Sequence, residues 1–215
     1  QIDRVREALD PEFQAEFGKA GYTLMGWGDV GRARLFSSKE IQKPADLKTV
    51  NPWAWRDDVI FGEVLKVIGA NGRRLGVNEV LPALQTGRID AFPSSALAAV
   101  SLQWYNHAKF VTKQSDSIVI GATILRKDKV DALPADLQKI LTDSAARAHK
   151  LLAGGIRKAD DQAYKALLKR GVKEVDISAH QAEWEKMAAE VRGNLAGRLY
   201  PKELLTRVEK LAAQK

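Results

Sequence analysis

The sequence predicts an α/β fold with a partly parallel sheet, followed by a helical region. Strand-like segments alternate with helical patterns over roughly the first 130 residues, which indicates βαβ units. From Leu133 onward, apolar residues recur every three to four positions, as they do in amphipathic helices. The 215 residues are enough for one large or two small domains.

Composition and charge exclude several functional classes. Apolar residues make up 45% of the chain, and no apolar run reaches the 18 residues that a membrane span needs. Cysteine is absent, so disulfides and thiolate metal sites cannot form. The net charge is +7, but the basic residues are spread along the chain without an arginine-rich arm, so we expect no nucleic-acid partner.

The first elements follow from apolar spacing and glycine punctuation. A helix is predicted over residues 2–20, with Pro11 marking a break or a second start. Tyr22–Trp27 is predicted to be a strand, Gly28–Gly31 a turn, and Arg32–Ser37 extended. Next come a helical turn opened by proline at Pro44–Lys48 and an aromatic strand at Pro52–Trp55. A helix capped by Asp57 or Asp58 then ends at Gly69.

The segment Val77–Asp90 has the clearest local signals in the chain. Asn78 is a suitable N-cap, Pro82 lies near the helix start, and Gly87 suits a left-handed C-terminal position. A short strand then ends in Asp90, whose carboxylate can accept backbone amides and so cap the next segment or hold a hinge. The remaining predicted elements are helices at 94–105, 133–152, 156–170, 178–196 and 201–213, and strands at 109–112, 117–125 and 172–177.

No arrangement of residue types in the chain points to catalysis or to a metal site. His107, His149 and His180 are far apart in sequence and lack metal-ligand spacing. The adjacent carboxylates Asp57–Asp58 and Asp160–Asp161 point apart on a helix, so neither pair makes an acid–base site. We therefore predict a protein that is not an enzyme and needs no cofactor.

Several segments, in order, resemble those of TRAP (tripartite ATP-independent periplasmic) transporter solute-binding proteins of the DctP type. Val77–Asp90 resembles the signature S-E-V-Y-x-A-L-Q-x-G-x-V-D, and Gly26–Gly31 resembles G-W-G-x-x-G. The other similar segments are Ser38–Lys48, Gly69–Asn71 and Leu133–Gln138. The resemblance covers nearly the whole chain.

The resemblance implies a periplasmic-binding-protein-like (type II) fold, in which two α/β lobes close around a ligand by hinge motion. It assigns 1–37 to the first lobe and crossover, 38–125 to the second lobe with its hinge strands, and 126–215 to a helical region packing on both. The implied function is that of a periplasmic solute receptor, with a small organic ligand and integral-membrane TRAP permease subunits as partners. The similar stretch starts well inside the family's usual chain, so we expect part of the first lobe, and any signal segment, to be absent. The surface thereby left open would support an oligomer.

The implied ligand site departs from the family pattern in the arginine strand. Typical members hold an organic carboxylate with an arginine in a strand reading K-I-R-V-P, because a guanidinium binds carboxylate in a bidentate way. The corresponding segment here is Asn51–Arg56. Trp53 or Ala54 falls at the arginine position, and Arg56 lies two or three residues further on as a candidate substitute.

Two further positions differ from the pattern. A second arginine of some members aligns with Ala33, which is flanked by Arg32 and Arg34. The family's D-G-Q-E-N-P becomes Asp90–Ser95, so that Ser94 replaces the ligand-binding asparagine. The helix that follows could aim its first amides at an anionic ligand group, which would supply an anion site without arginine.

Aromatic residues accompany these changes and lead to a hypothesis about the ligand. Trp53 and Trp55 share one face of a strand, and Phe92 and Trp27 lie near the expected cleft; each either contacts ligand or packs in the core. We hypothesise a neutral, hydrophobic or weakly acidic ligand rather than a small dicarboxylate. The alternatives are a protein-interaction or oligomerising module and an α/β enzyme with an unrecognised site.

Overall fold

The computed structural model describes residues 1–115 and 117–214 and shows a mixed α/β fold, as predicted. Its helices are α1 (Ile2–Lys19), α2 (Val59–Ile68), α3 (Val77–Gln85), α4 (Ala96–Ser101), α5 (Lys127–Asp131), α6 (Ala135–Lys169), α7 (Gln181–Leu195) and α8 (Lys202–Ala213). Its strands are β1 (Tyr22–Arg32), β2 (Arg34–Ser37), β3 (Trp53–Trp55), β4 (Arg73–Leu75), β5 (Ala91–Ser94), β6 (Phe110–Thr112), β7 (Ile118–Arg126) and β8 (Lys173–Val175). Short 3-10 helices cover Pro44–Thr49, Trp104–His107 and Ser178–His180.

The chain divides into two compact units. Unit 1 contains Gln1–Asp29, Ile120–Ile156 and Tyr200–Lys215, and unit 2 contains Val30–Val119 and Arg157–Leu199. The chain passes between them within β1, within β7, within α6 and after Leu199. The predicted domains 1–37, 38–125 and 126–215 follow the sequence order, whereas these units are interleaved; the assignment of those ranges to lobes stays a prediction.

Unit 2 is built on a mixed sheet. β2 pairs antiparallel with β5, from Arg34 opposite Ser94 to Ser37 opposite Ala91, and its other neighbour β6 is also antiparallel. β6 pairs in parallel with β8, and β3 pairs in parallel with β4. A parallel bridge between Pro52 and Ala91 brings β3 beside β5. The spatial order is therefore β4-β3-β5-β2-β6-β8, which confirms the predicted partly parallel sheet.

Aromatic rings form the centre of the unit 2 core. Phe36 and Phe92 stack with 5.2 Å between ring centroids, and Trp104 packs edge-on against Phe92 at 5.6 Å and against Trp53 at 5.2 Å. Val80 from α3 is completely buried in the same cluster. Such offset and edge-to-face pairs add stability beyond the area that they bury.

The segment Val77–Asp90 folds largely as predicted, with one correction at its start. The N-cap of α3 is Gly76 and not Asn78, because the Glu79 carboxylate turns back and accepts the Gly76 N–H at 2.7 Å. Gly87 follows the helix with a φ of +68°, which confirms its predicted left-handed role. The helix covers the core with Val80 and Leu84.

Asp90 links three chain segments of unit 2 by hydrogen bonds. Its carboxylate accepts the Asn51 N–H at 2.6 Å and the Ser38 hydroxyl at 3.2 Å. Its backbone N–H donates to the Asn51 carbonyl, and its own carbonyl accepts the Ser38 N–H. The residue thus holds the end of β2 and the approaches to β3 and β5 together, rather than capping the segment that follows it.

Unit 1 combines helices with the long strand pair β1–β7. The α1 and α8 helices are linked by an ion pair between Glu12 and Arg207. The predicted turn at Gly28–Gly31 is wrong, because β1 continues through it to Arg32 and pairs with β7. Backbone pairing along a neighbouring strand outweighs the local turn preference of glycine here.

Other predictions of helices and strands also differ from the structure, and the short helix α5 had no predicted counterpart. The predicted helices 133–152 and 156–170 form one helix of 35 residues, since the glycines Gly154 and Gly155 each cost only about 1 kcal/mol within it. The predicted helix 94–105 ends at Ser101, and Gln103 takes a positive φ of 61° before the 3-10 turn. Strand β4 was not predicted.

Replacement of Asp90 by alanine should lower the free energy of unfolding by about 2–3 kcal/mol, since it removes two hydrogen bonds to a charged acceptor. Urea unfolding followed by circular dichroism measures this. Asp57→Ala, which removes an exposed carboxylate, is the control and should change stability by less than about 0.5 kcal/mol. Equal effects of the two substitutions would contradict the role given to Asp90.

Candidate functional site

Five of the predicted site residues, Arg32, Arg34, Trp55, Arg56 and Ser94, lie at or next to strand ends on the same side of the unit 2 sheet. β3, β4 and β5 run parallel, so that Trp55, Leu75 and Ser94 mark their carboxyl ends on the same side. β2 runs the other way and begins at this side, with Arg34 opposite Ser94. We call this side the carboxyl edge. In open α/β sheets, ligands bind outside the carboxyl ends of the strands.

Trp55 and Arg56 are the accessible pair at the carboxyl edge. Trp55 is 49% exposed, and the Arg56 side chain is 61% exposed. The Arg56 Nη2 lies 2.7 Å from Glu79 Oε2, which also accepts the Gly76 N–H. The Arg74 Nη1 donates to the Arg56 carbonyl at 3.1 Å and so orders the backbone here. The result is an exposed indole next in sequence to an ordered guanidinium.

The starts of two helices complete this part of the edge. Asp58 caps α2, accepting the N–H groups of Ile60 at 2.8 Å and Phe61 at 3.0 Å, which confirms the capping prediction for this aspartate. The first residues of α2 and α3 present exposed apolar side chains, namely Val59, Ile60 and Val77. The carboxyl edge therefore offers apolar contact area beside the positive charge of Arg56.

Arg34 is buried and held by the protein itself. Its Nη1 donates to the carbonyls of Thr112 and Lys113, and its guanidinium lies 3.9 Å from the centre of the Tyr164 ring. Burial, together with the hydrogen bond to Glu174, raises the pKa of the Tyr164 hydroxyl well above its usual value, while the charge of Arg34 opposes this rise. These contacts indicate that Arg34 stabilises the fold and is not accessible to a ligand.

A buried carboxylate positions Arg32 and helix α4. Asp160 is 1% exposed, and its two oxygens accept the N–H groups of Leu97 at 2.9 Å and Arg32 at 3.0 Å. Gly31, with a φ of +124°, makes room for it, since a Cβ there would lie 2.6 Å from an Asp160 oxygen. The Arg32 side chain remains exposed, with its Nε 3.7 Å from Asp161.

The same carboxylate corrects the expectation of an anion site at the start of the helix after Ser94. Ser95 is the N-cap of α4, and its hydroxyl accepts the Ala98 N–H at 3.1 Å. Asp160 takes the Leu97 N–H, so both amides already have acceptors. Ser94 itself is buried, and its hydroxyl donates to the Ser95 carbonyl at 3.1 Å.

Two predicted aromatic site residues lie in the unit 2 core. Trp53 is 7% exposed and its Nε1 donates to the Leu75 carbonyl at 3.0 Å, while Phe92 is completely buried. Neither side chain offers a surface to a ligand in this conformation, in contrast to Trp55. Their ring contacts show that both residues pack in the core. A direct role of either residue in ligand binding stays a prediction.

Trp27 belongs to unit 1 and lies among aromatic and basic side chains. Phe13 and Phe17 meet its ring edge-on, with 5.1 and 6.3 Å between centroids. The Arg6 guanidinium lies 5.8 Å from the ring centre, and the His149 ring nitrogen Nδ1 is 3.0 Å from the Trp27 carbonyl oxygen. The structure thus surrounds Trp27 with packing partners, and its part in binding also stays a prediction.

The carboxyl ends of β6 and β8 carry an acid that remains ionised. Asp176 accepts from Lys113 Nζ at 2.9 Å, from the Gln114 amide and from the Ser178 N–H. The hydrogen bond from Lys113, followed by those from Ser178 and Gln114, holds the pKa of Asp176 well below its usual range. A carboxylate of this kind is suited to structure and not to proton transfer.

Sequence reasoning missed Glu79 and Asp160. The Gly76-x-x-Glu79 spacing is a capping-box pattern, so the capping role of Glu79 could have been predicted from the sequence. Asp160 carried none, because its partners lie 63 and 128 residues away in the chain. In the described ranges 1–115 and 117–214, no group of three potential His, Cys or carboxylate ligands is placed to hold a metal, and no helix is long and apolar enough to cross a membrane.

Substitution of Asp160 by asparagine should cost about 2–3 kcal/mol of unfolding free energy, because an amide group would then face a backbone N–H donor. It should also shift the amide resonances of Arg32 and Leu97. The neighbouring exposed Asp161→Asn is the matched control and should cost under about 0.5 kcal/mol. Urea unfolding and amide NMR spectra of both variants test this, and unchanged Arg32 and Leu97 resonances in Asp160→Asn would refute it.

Solved structures show that the fold is shared with known proteins. A TRAP solute-binding protein of Ralstonia eutropha H16 with bound (S)-2-acetolactate superposes with a TM-score of 0.91 at 23% identity, covering 100% of this chain and 70% of that one. DctP7 of Bordetella pertussis, a receptor binding pyroglutamic acid, gives a TM-score of 0.89 at 18% identity, covering 99% and 70% of the two chains.

Curated relatives align with this chain over only a part of their own length. The C4-dicarboxylate-binding periplasmic protein DctP of Rhodobacter capsulatus is 24% identical over 203 residues, which is 90% of this chain and 61% of that protein. A solute-binding protein of a Sulfitobacter strain is 26% identical over 130 residues, 60% of this chain and 39% of its own. This chain thus spans less than two thirds of the length of these relatives.

A family profile agrees with these similarities. The family described as DctP, bacterial extracellular solute-binding protein, family 7, matches residues 4–196. Its description is that of binding proteins acting outside the cytoplasm, which agrees with the predictions of a periplasmic location and of a protein that is not an enzyme. The chain therefore belongs to the DctP family of bacterial extracellular solute-binding proteins.

Proposed function

We propose that this chain belongs to the extracytoplasmic receptor of a TRAP-type transporter and binds a small organic acid at the carboxyl edge of unit 2. The family match over residues 4–196 is the observation that carries this proposal. Integral-membrane permease subunits would be its partners, and neither ATP nor covalent chemistry is involved. Ligand binding would favour the closed conformation that such a partner recognises.

The ligand chemistry is inferred from relatives and from Arg56. Solved relatives carry pyroglutamic acid, orotic acid, acetolactate or galacturonate, and each of these is a carboxylic acid. A neutral hydrophobic ligand finds no support among them, whereas the weakly acidic alternative agrees with them. An exposed guanidinium is the side chain best suited to a carboxylate.

Arg56 has donors to spare for such a ligand. An arginine has five N–H donors, and the contact with Glu79 engages Nη2. A ligand carboxylate could therefore bind beside Glu79, or displace it, without the desolvation cost of freeing a buried arginine such as Arg34. The exposed Arg32 is the second candidate cation at this edge, because Asp161 is its one ion-pair partner in the described ranges and lies 3.7 Å away.

Trp55 is suited to the apolar part of the ligand. Its ring is half-exposed at the end of β3 and directly precedes Arg56 in the chain. A flat ring or a sugar face could pack on the indole while a carboxylate meets the guanidinium. The proposed site therefore combines Trp55 and Arg56, with Arg32 as a further cation. These residues would take the place of the arginine with which typical family members hold the ligand carboxylate.

The Arg56→Gln variant should bind the acidic ligand about 10- to 100-fold more weakly, as expected for the loss of a charge-assisted hydrogen bond. Calorimetric titration with pyroglutamate, orotate, acetolactate and galacturonate identifies the ligand in the parent chain. Arg126→Gln removes an exposed, ion-paired arginine of unit 1 and should leave affinity unchanged. Equal losses in both variants, or an amide analogue that binds as well as the acid, would count against the proposal.

Self-association is a second candidate function, supported by exposed apolar residues of unit 1. Along β7 and the first half of α6 these are Ile120, Ile124, Leu125, Leu137, Ile140, Leu151 and Leu152. Leu151 is 78% exposed. Exposed apolar side chains promote association where they adjoin one another, and β7 is an edge strand of a two-stranded sheet.

If unit 1 mediates self-association, the molar mass from light scattering should rise with concentration for the parent chain. The double variant Ile140→Lys and Leu151→Lys should remain monomeric over the same range, because two buried charges would oppose the contact. Leu102→Lys, at an exposed leucine of unit 2, is the control and should behave like the parent. A parent chain that is monomeric at all concentrations would exclude this candidate.

A further inference from the structure

The opposite edge of the unit 2 sheet carries a basic groove. It lies where β6 and β8 begin, with Phe110 opposite Lys173 in the parallel register. The groove has a volume of about 320 Å³ and is lined by Tyr105, Asn106, Ala108, Lys109, Phe110, Arg170, Gly171, Val172 and Lys173. We call it the amino groove. Its volume is in the range typical of pockets for small molecules.

Three cations line the amino groove, and two of them lie against aromatic side chains. The Arg170 Nη1 donates to the Tyr105 hydroxyl at 2.7 Å, and its guanidinium lies 5.3 Å from the centre of that ring. The Lys173 Nζ lies 5.9 Å from the centre of the Phe110 ring. Lys109 is the third cation, and no aspartate or glutamate is among the described residues that line the groove.

Uncompensated charge is not a general property of grooves on this unit. A second groove of about 300 Å³ is lined by Pro44, Ala45, Val67, Ile68, Glu183, Lys186, Met187 and Glu190. There, two carboxylates accompany a single lysine. In the amino groove, by contrast, aromatic rings orient two of the cations, and the buried Ala108 and Val172 provide an apolar base.

We propose that the amino groove is a binding site for a small anion that carries two or more negative charges. Three cations that line one groove without a carboxylate among them repel one another, and a multivalent anion relieves this repulsion while it accepts their hydrogen bonds. The site lies on the edge opposite Trp55 and Arg56, so it is separate from the proposed ligand site and does not depend on it.

Titration of the complete chain with inorganic phosphate, followed by amide NMR, tests the proposal. The amides of Lys109, Gly171 and Lys173 should shift with saturation at millimolar phosphate or below. The double variant Lys109→Gln and Lys173→Gln, both at exposed side chains, should bind at least tenfold more weakly. Lys186→Gln removes one charge from the second groove and Arg126→Gln removes one exposed arginine of unit 1, and both should bind phosphate like the parent.

Specific outcomes would overturn the proposal. Shifts that grow linearly without saturation, or equal binding by parent and double variant, would show that the groove is no anion site. Loss of binding in Lys186→Gln would show a general effect of net charge. A hexaglutamate peptide that binds more than about 100-fold tighter than phosphate would assign the groove to an acidic protein segment instead. The amide spectrum of each variant confirms that it is folded.

Discussion

The hydrogen bonds of Asp90 hold the start of β5 against the segment before β3 and the end of β2, and so align three strands of unit 2. Its carboxylate holds Asn51 before β3 and Ser38 after β2, and its backbone repeats both connections. Because a shift of register by one residue turns every side chain to the other face of a sheet, this connection decides which residues reach the carboxyl edge. Trp55, Arg56 and Ser94 are placed there as a consequence.

Burial separates residues that look alike in the sequence. Trp53 and Trp55 lie two positions apart in one short strand, yet Trp53 packs on Trp104 while Trp55, the last residue of the strand, is half-exposed. Arg34 is likewise enclosed against Tyr164, whereas Arg56 is open to solvent. The site proposed for an organic acid rests on this difference, because an accessible tryptophan and an accessible arginine occur next to each other at the end of β3.

Charge is distributed differently at the two edges of the unit 2 sheet. At the carboxyl edge Arg56 is balanced by Glu79, and Arg32 lies near Asp161. At the amino groove, Arg170 and Lys173 lie against aromatic rings, Lys109 is a third lining cation, and the described lining residues include no carboxylate. The net charge of +7 therefore does not reflect uniformly solvated helix faces, because part of it is concentrated in one concave site.

The sequence by itself determined the α/β class, the family and the helix ends that rest on local chemistry. Asp58, Gly69 and Gly87 act at short range, as a cap or at the left-handed end of a helix, so neighbouring residues suffice to predict them. Only the tertiary structure decided which aromatic and basic side chains are accessible, because burial depends on contacts between distant segments. Strand β4 reads Arg-Arg-Leu and carries no apolar or aromatic pattern that would mark a strand, and Asp160 meets partners that no local pattern could reveal.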